Sequence, residues 1–381
     1  MKRKSHLTFF SGLVFLWAGL VVWNLLTPVK VFSANENRYL EKLPEFTLEE
    51  FISGEYMQHM DEFFNDQFVL RDQWIGLKVS LERVLLKREV NSVFFAEDEY
   101  LIEHHKESDV SKELAEKNKA ALQAFVERYS ALLGEDRMKV MLVPTASEIL
   151  QDKLPLFAAG TGYDQFDYLD ELKKELGETV VLDIRETLLN HRKEYLYYLT
   201  DPHWTSLGAY YAYVQWANEM GMEPYKETEF QRVLATDAFY GTLHSKVNTK
   251  VKPDEIYLYQ LKNPMEYKIT YNLETSGTTL YDETKLKDKD KYSVFMGGNN
   301  ALVEVETKNQ TGRNLLVIKD SFAHSFVPLA VNHYDKTYMV DLRYYNGKLS
   351  ELMADKGITD VLVLYNVMGF VKDIDVVKLL N

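Results

Sequence analysis

The sequence predicts an α/β protein with a parallel β-sheet that is covered by helices on both faces. Five short, almost wholly apolar segments indicate buried strands, at residues 138–143, 179–183, 314–318, 337–340 and 360–364. Helical patterns separate these segments, and this alternation is typical of parallel strands in α/β domains. The chain has 381 residues, of which 46% are hydrophobic, so it is long enough to bury such a core.

The composition excludes several classes of function. The net charge is −14 and no block of Lys and Arg follows residue 4, so we expect no nucleic-acid-binding surface. The absence of cysteine excludes thiolate zinc sites, iron–sulfur clusters and cysteine nucleophiles. Because the nine histidines show no zinc-site spacing, we predict neither a metal nor a cofactor.

The N-terminal segment predicts a membrane anchor within residues 1–30. Residues 7–26 form an uncharged, mostly apolar run after Lys2, Arg3 and Lys4. A helix of that length is about 30 Å long, which matches a bilayer core, and the positive flank should stay in the cytoplasm. We therefore expect a single-pass protein whose remaining residues lie outside the cytoplasm. The alternative is a cleaved signal peptide that ends near Ala34, although the apolar run is longer than such peptides usually have.

The rest of the chain divides into a predicted helical neck at residues 31–108 and an α/β domain at residues 109–381. In the neck, Phe64, Phe68, Ile75 and Val79 fall on one helical stripe. The first helix of the domain is expected to end at Gly134. Residues from about 222 to 312 alternate polar and apolar positions, which predicts a β-rich insertion in this domain.

One segment with residue types that suit catalysis is Thr200-Asp201-Pro202-His203. Pro202 favours extended backbone at Asp201, so Asp201 and His203 should face the same way. The aspartate then reaches one ring nitrogen of His203 and leaves the other free. Thr205 or Ser206 is expected to cap the next helix. The alternative is an ordinary Asp-Pro turn.

A second such segment is Lys319-Asp320-Ser321, directly after the predicted strand at residues 314–318. A serine at a strand-to-helix turn exposes its hydroxyl, and its own backbone N–H can bind an oxyanion. A plain helix cap by Asp320 or Ser321 is the alternative. Together with Asp201 and His203, however, Ser321 completes a set of nucleophile, base and orienting acid.

Several segments also carry a family resemblance. The specific ones are Thr200-Asp201-Pro202-His203-Trp204-Thr205 and Ile318-Lys319-Asp320-Ser321-Phe322, and the supporting ones are Glu36-Asn37-Arg38-Tyr39-Leu40 with Leu43-Pro44, Phe295-Met296-Gly297-Gly298-Asn299, and Val340-Asp341-Leu342-Arg343-Tyr344-Tyr345. In these segments the chain resembles the bacterial DHHW proteins, relatives of the alginate O-acetyltransferase components that carry an SGNH-hydrolase-like domain.

The resemblance implies an SGNH-hydrolase-like fold with Ser321 as nucleophile, His203 as general base and Asp201 as the acid that orients the base. The Asp-x-His pair precedes the serine, which is the permuted motif order of the alginate acetyltransferases. Pro202 stands where the family name has a histidine, at a position that is not the base in the related acetyltransferases.

Five further residues are predicted to bind the oxyanion or the substrate: Gly298, Asn299, Arg343, Tyr365 and Asn366. The segment Gly297-Gly298-Asn299 is the first choice for the second oxyanion donor, and Asn366 is the second choice. Arg343 is expected to bind carboxylate or ring oxygens of a polymer, and Tyr365 to stack on a sugar ring. The alternatives are plain turns, a salt bridge from Arg343 to Asp341, and half-buried packing.

The resemblance implies an O-acetyltransferase for an extracellular polysaccharide, held at the bacterial cell membrane. An outward-facing enzyme lacks acetyl-coenzyme A, so the expected partner is a multispanning, acetyl-exporting membrane protein of the MBOAT type. Two alternatives stay open, an acetyl esterase with the same triad and a non-catalytic polysaccharide-binding component. The transferase and the esterase differ in whether a sugar hydroxyl or water reaches the acyl-enzyme.

Overall fold

The computed structural model describes residues 2–33, 38–263 and 265–381, with the side chains of the first helix described from Phe10 onward. Glu36 and Asn37 of the family segment lie outside the described residues. The chain forms two compact units, Met1–Lys87 with Ser245–Lys250, and Arg88–His244 with Val251–Asn381. The predicted domain boundaries stay predictions.

The α-helices are α1 (Lys2–Leu26), α2 (Leu48–Ser53), α3 (Glu55–Gln67), α4 (Arg71–Val84), α5 (Lys112–Leu133), α6 (Ala146–Ile149), α7 (Gln165–Leu176), α8 (Arg185–Asn190), α9 (Ser206–Glu219), α10 (Thr242–Val247), α11 (Ala323–Ala330), α12 (Leu349–Asp355) and α13 (Val367–Lys372). The strands are β1 (Phe32–Ser33), β2 (Arg38–Tyr39), β3 (Glu89–Val90), β4 (Val93–Phe95), β5 (Leu101–Glu103), β6 (Met138–Val143), β7 (Phe230–Phe239), β8 (Asp254–Leu261), β9 (Lys268–Tyr271), β10 (Thr275–Gly277), β11 (Leu302–Glu306), β12 (Asn314–Lys319), β13 (Lys336–Val340) and β14 (Asp360–Asn366).

Within the described residues, seven strands form the main sheet in the order β10-β9-β11-β13-β12-β14-β6. The four strands β13, β12, β14 and β6 are parallel to one another. Their carboxyl ends therefore lie at one edge of the sheet, which is where reacting groups gather in α/β proteins. The segments after β12, β13 and β14 are brought together at this edge.

The predicted α/β class is confirmed as a mixed α/β fold with a multi-stranded sheet. The sheet is not parallel throughout, because β11, β9 and β10 continue it in antiparallel pairs. These strands come from the region predicted as a β-rich insertion, and the short turn between β9 and β10 permits only antiparallel pairing. The strand predicted at residues 179–183 makes a single parallel bridge, from Val181 to Val140.

Helices cover both faces of the sheet. Successive residues of β12 alternate between two apolar clusters, with Leu315 and Val317 in one cluster and Leu316 and Ile318 in the other. Residues of α9 and α11 belong to the first cluster, and residues of α5, α7 and α13 belong to the second. The nearly uniform apolar character of β12 is explained by this burial on both sides.

Helix α5 ends where the sequence predicts. The Ser111 hydroxyl accepts a hydrogen bond from the Leu114 N–H at 3.3 Å, and the helix ends at Leu133. Gly134 follows with φ of 97°, a left-handed value that glycine adopts without steric cost. The predicted end of this helix at Gly134 is confirmed.

In the first unit, the helical stripe predicted in the neck is interrupted between α3 and α4. Leu70 has a left-handed φ of 58° directly before α4, so Phe64 lies on one helix while Ile75 and Val79 lie on the next. Val79 is buried, whereas Phe64 is exposed. Among the residues that the structure describes, no helix is both long and apolar enough to cross a membrane.

Candidate active site

Ser321 occupies the turn between β12 and α11, at the carboxyl edge of the sheet. Its Oγ lies 2.7 Å from Nε2 of His203. Its backbone N–H has no hydrogen-bond acceptor among the described residues. A hydroxyl in contact with an imidazole, next to a free backbone N–H, is suited to nucleophilic attack with oxyanion stabilisation.

His203 bridges the serine and a buried carboxylate. Its Nδ1 lies 2.5 Å from Oδ1 of Asp201, on the opposite side of the ring from Ser321. Helix α9 begins directly afterwards, because the Thr205 hydroxyl accepts a hydrogen bond from the Gly208 N–H at 3.3 Å. The structure therefore brings together the three side chains that the sequence predicts as a triad. Their catalytic roles stay predictions.

The carboxylate of Asp201 is held by the backbone on both sides. Its Oδ1 also accepts from the N–H of His203 at 3.2 Å, and its Oδ2 accepts from the N–H of Thr242 at 3.0 Å. Burial raises the pKa of Asp201, but the interaction with the His203 ring and these hydrogen bonds outweigh burial, so the net pKa lies below its usual range. Asp201 is therefore ionised at neutral pH, as the orienting acid of such a triad must be.

The close packing around Asp201 requires a glycine at position 241. A Cβ added to Gly241 would lie 2.2 Å from Cβ of Asp201 and 2.4 Å from its Oδ2. Any larger residue would displace the carboxylate or the segment that holds it.

A second buried carboxylate, Asp254, fixes the backbone that carries Asp201. It accepts hydrogen bonds from the N–H of Leu199 at 2.5 Å, from the N–H and the hydroxyl of Thr200 at 2.8 and 2.5 Å, and from the hydroxyl of Tyr195. Burial raises the pKa of Asp254 to about 6, although these four donors favour its ionised form. Through these hydrogen bonds Asp254, the first residue of β8, holds the loop that precedes His203.

Behind Ser321 lies a buried charged cluster that the sequence did not predict. Lys319 Nζ lies 2.9 Å from Oδ2 of Asp341 and 2.8 Å from Nε2 of His324. Burial, followed by the charge of Lys319, lowers the pKa of His324 well below its usual value. His324 is therefore neutral at pH 7 and accepts the hydrogen bond from Lys319.

Asn366 lies next to the serine turn. The parallel register pairs Lys319 with Leu364, so continuing it two residues places Ser321 opposite Asn366. The Nδ2 of Asn366 donates to Oδ2 of Asp320 at 2.7 Å, and its Oδ1 accepts from the Gly369 N–H at 2.7 Å. The amide orientation is thus fixed, and Nδ2 keeps a second hydrogen for an oxyanion.

The turn with Gly298 and Asn299 makes different contacts. Asn299 is exposed, and Gly298 has φ of 80°, where an added Cβ would lie 2.7 Å from Oγ of Ser293. Its backbone N–H donates to the carbonyl of Phe295 at 3.1 Å. The Gly298 N–H is therefore already bonded within its own turn, and the role of either segment in binding an oxyanion stays a prediction.

Arg343 and Tyr365 are both engaged within the protein. Arg343 donates to both carboxylate oxygens of Asp341, at 2.8 and 2.7 Å, and 34% of its side chain stays exposed. Tyr365 is only 1% exposed and packs against Phe370, with ring centroids 5.7 Å apart. The structure thus shows the salt bridge as the contact of Arg343, and the burial of Tyr365 leaves no ring face for a sugar.

A group of acidic side chains with a histidine lies in the first unit. In the described part of the chain, Glu41, His59 and Glu62 are the group of three whose ligand atoms lie within 4.8 Å of one another. His59 and Glu62 are about half exposed, and such exposed groups are common without a metal.

The fold and the contacts of Ser321, His203 and Asp201 define an α/β protein with a serine–histidine–aspartate arrangement at the carboxyl edge of its sheet. A family model described as "DHHW protein" matches residues 114–340, which is more than half of the chain. The chain belongs to the DHHW protein family, so the predicted relation is confirmed.

Solved structures with a similar fold are known. A DHHW family protein from Eubacterium siraeum has 24% identity and a TM-score of 0.63, over 77% of this chain and 96% of that chain. PatB1 from Bacillus cereus has 20% identity and a TM-score of 0.61, over 72% and 96%. The O-acetyltransferase domain of AlgJ from Pseudomonas putida has 13% identity and a TM-score of 0.46, over 74% and 93%. The comparison with curated proteins finds no match.

The sequence did not predict several residues of the site. Among them are Thr242, Asp254 and Tyr292, whose ring stacks on that of His203. Thr242 and Asp254 act through contacts across 41 and 54 residues of chain, for which the local sequence carries no signal. Tyr292 lies three residues before the family segment that begins at Phe295, and that proximity was the one available indication.

Proposed function

We propose that this chain is an extracytoplasmic O-acetyltransferase that modifies a polysaccharide through a serine acyl-enzyme. The observation that carries the proposal is the continuous contact from Asp201 Oδ1 through His203 to Ser321 Oγ, at 2.5 and 2.7 Å. This geometry supplies a nucleophile, a base and the group that orients the base.

In the proposed first step, His203 Nε2 removes the proton of Ser321 Oγ while that oxygen attacks an acetyl ester. The resulting oxyanion is stabilised by the Ser321 N–H and by the second hydrogen of Asn366 Nδ2. The intermediate collapses, the protonated His203 donates its proton to the leaving group, and the acetyl group stays on Oγ. In the second step, His203 deprotonates a sugar hydroxyl, which takes the acetyl group and regenerates Ser321.

The location and the partner are part of the proposal. The basic residues at positions 2–4 and the apolar run at residues 7–26 support an anchor with the catalytic unit outside the bacterial cell membrane. Acetyl groups would then come from a multispanning membrane protein of the MBOAT type, and the acceptor is a cell-surface or secreted polysaccharide.

A chromogenic acetyl ester tests the enzyme proposal. The purified full chain should release the chromophore, and Ser321→Ala should not, whereas the exposed serine on β10 provides a matched control in Ser276→Ala. Equal rates for wild type and Ser321→Ala, with both proteins folded, would refute the enzyme and leave a non-catalytic component.

A sugar acceptor separates transfer from hydrolysis. When an oligosaccharide is added to the ester assay, a transferase yields acetylated sugar that mass spectrometry detects. Chromophore release without acetylated sugar across a panel of acidic and neutral oligosaccharides would favour the esterase. Adding acetyl-coenzyme A as the only donor should give no product, because the proposed acyl supply is a membrane partner.

A further inference from the structure

Tyr292 contacts the imidazole of the proposed base and the backbone of the proposed nucleophile. Its ring lies nearly parallel to the imidazole of His203, with centroids 4.0 Å apart and an interplanar angle of 12°. Its hydroxyl donates to the carbonyl oxygen of Ser321 at 3.1 Å and lies 3.2 Å from Oγ of Ser325. A single side chain therefore touches the base and the backbone of the nucleophile.

The stacking restricts the orientation of the imidazole. His203 must point Nδ1 at Asp201 and Nε2 at Ser321 at the same time, and both contacts are lost when the ring turns about its Cβ–Cγ bond. A parallel ring at 4.0 Å blocks that rotation, because the edge of a turned imidazole would enter the Tyr292 ring. The ring of Phe322 adds a second contact at 5.2 Å.

The hydroxyl restrains the nucleophile in a different way. Tyr292 is 3% exposed, and burial raises the pKa of its hydroxyl, so the hydroxyl stays protonated and keeps donating to Ser321. A carbonyl that is held at this turn fixes the direction of the Ser321 N–H and Cα, on which the aim of Oγ depends. The bond from Ser325 in turn orients the Tyr292 hydroxyl.

We propose that Tyr292 is a positioning residue that holds His203 and Ser321 in the geometry for acyl transfer. This inference rests on the proposed function. It predicts that the Tyr292 ring and hydroxyl affect the chemical step more than substrate binding. A purely structural tyrosine in the same core would not show that separation.

The neighbouring Tyr198 provides a matched control. It is fully buried, its ring lies 6.1 Å from that of Tyr292, and its hydroxyl has no hydrogen-bond partner among the described residues. Tyr198→Phe therefore removes a buried hydroxyl from the same aromatic cluster without breaking a contact to His203 or Ser321.

The experiment compares kcat and KM of the full chain with an acetyl ester for Tyr292→Leu, Tyr292→Phe and Tyr198→Phe. Loss of the ring in Tyr292→Leu should lower kcat about 100-fold and change KM by less than about threefold. Loss of the hydroxyl alone in Tyr292→Phe should lower kcat about fivefold. Tyr198→Phe should stay within about twofold of wild type. In carbon-13 histidine spectra, the ring resonances of His203 should move in Tyr292→Leu and stay in place in Tyr198→Phe.

The outcomes separate this inference from the proposed function. A folded Tyr292→Leu variant with wild-type kcat, or one with a changed KM and an unchanged kcat, overturns the positioning role while enzyme activity stands. Should Tyr292→Leu fail to fold, the isosteric Tyr292→Phe decides, and wild-type kcat in that variant overturns the role of the hydroxyl. A wild type that is no faster than Ser321→Ala overturns the proposed function and this inference with it.

Discussion

Replacing Asp201 by Asn tests the orienting acid with almost no change of shape. The carboxylate accepts from His203 on one oxygen and from the Thr242 N–H on the other. An amide can replace only one of these acceptors. If its oxygen faces His203, its NH₂ faces the Thr242 N–H. If its NH₂ faces His203, then Nδ1 must be unprotonated, Nε2 carries the proton, and the ring cannot take a proton from Ser321.

The expected loss of kcat follows from the negative charge that Asn lacks. In the transition state His203 becomes an imidazolium next to the ionised Asp201. At an effective dielectric constant of about 20, two unit charges about 4 Å apart attract by roughly 4 kcal/mol. Because 1.4 kcal/mol corresponds to a factor of ten, the loss of this attraction should lower kcat by about 10³-fold. The wrong tautomer adds to the loss, so about 10³ is a lower bound.

The assay is hydrolysis of a chromogenic acetyl ester by the purified full chain, together with thermal unfolding. Asp335→Asn is the matched control, because Asp335 also accepts backbone hydrogen bonds, from the N–H groups of Thr311 and Gly312, but contacts no histidine in the described part of the chain. It should keep the wild-type rate. A folded Asp201→Asn variant with a rate within tenfold of wild type would refute the electrostatic reasoning.

Three further predictions concern the surroundings of the site. Gly241→Ala places a Cβ 2.2 Å from Cβ of Asp201, so we expect lower ester turnover and a lower melting temperature, and an unchanged variant would contradict the required close approach. Asp341→Ala leaves the buried Lys319 without its anionic partner, so the free energy of unfolding, measured in urea, should fall by about 3–5 kcal/mol. The double variant Asp341→Ala/Lys319→Met should lose clearly less, because it leaves no unpaired charge. The pKa of His324 is about 6.5 in the unfolded chain and much lower in the folded chain. Below pH 6.5 the unfolded chain therefore gains a proton that the folded chain does not, and the free energy of unfolding should fall by up to about 1.4 kcal/mol per pH unit. In His324→Asn this acid-dependent slope should be smaller, and an identical slope would exclude His324 as its source.

The sequence predicts the parallel half of the sheet well, because strands buried on both faces need uniformly apolar residues. The central residues of β12 and β14 satisfy this condition, and these apolar runs between helical patterns predict the two strands. The antiparallel half shows alternation, which indicates strands but does not identify their partners. Pairing of β11 with β13 depends on contacts between residues 30 to 38 positions apart, and these leave no local pattern.

The candidate site likewise contains residues that the sequence predicts and residues that it does not. Asp201 and His203 are two residues apart, so backbone geometry alone predicts their contact, and Ser321 follows from its place at the end of a strand. Tyr292 and Asp254 could not be predicted in this way. Each acts through burial and through partners distant in sequence, and neither a tyrosine after a charged loop nor an aspartate at the start of a strand is a local signal of such a role.

The segment that precedes α11 illustrates why a short motif can be specific. Four consecutive residues each bond to a different part of the second unit, Lys319 to Asp341 after β13, Asp320 to Asn366 at the end of β14, Ser321 to Tyr292, and Phe322 to Trp204. Each side chain or carbonyl therefore fixes the turn in one further direction. Because an error of about 1 Å in the position of a nucleophile can lower a rate by about 100-fold, a turn held from four sides is well suited to carry one. The specificity of such a motif thus depends on the residues that immobilise the serine as much as on the serine itself.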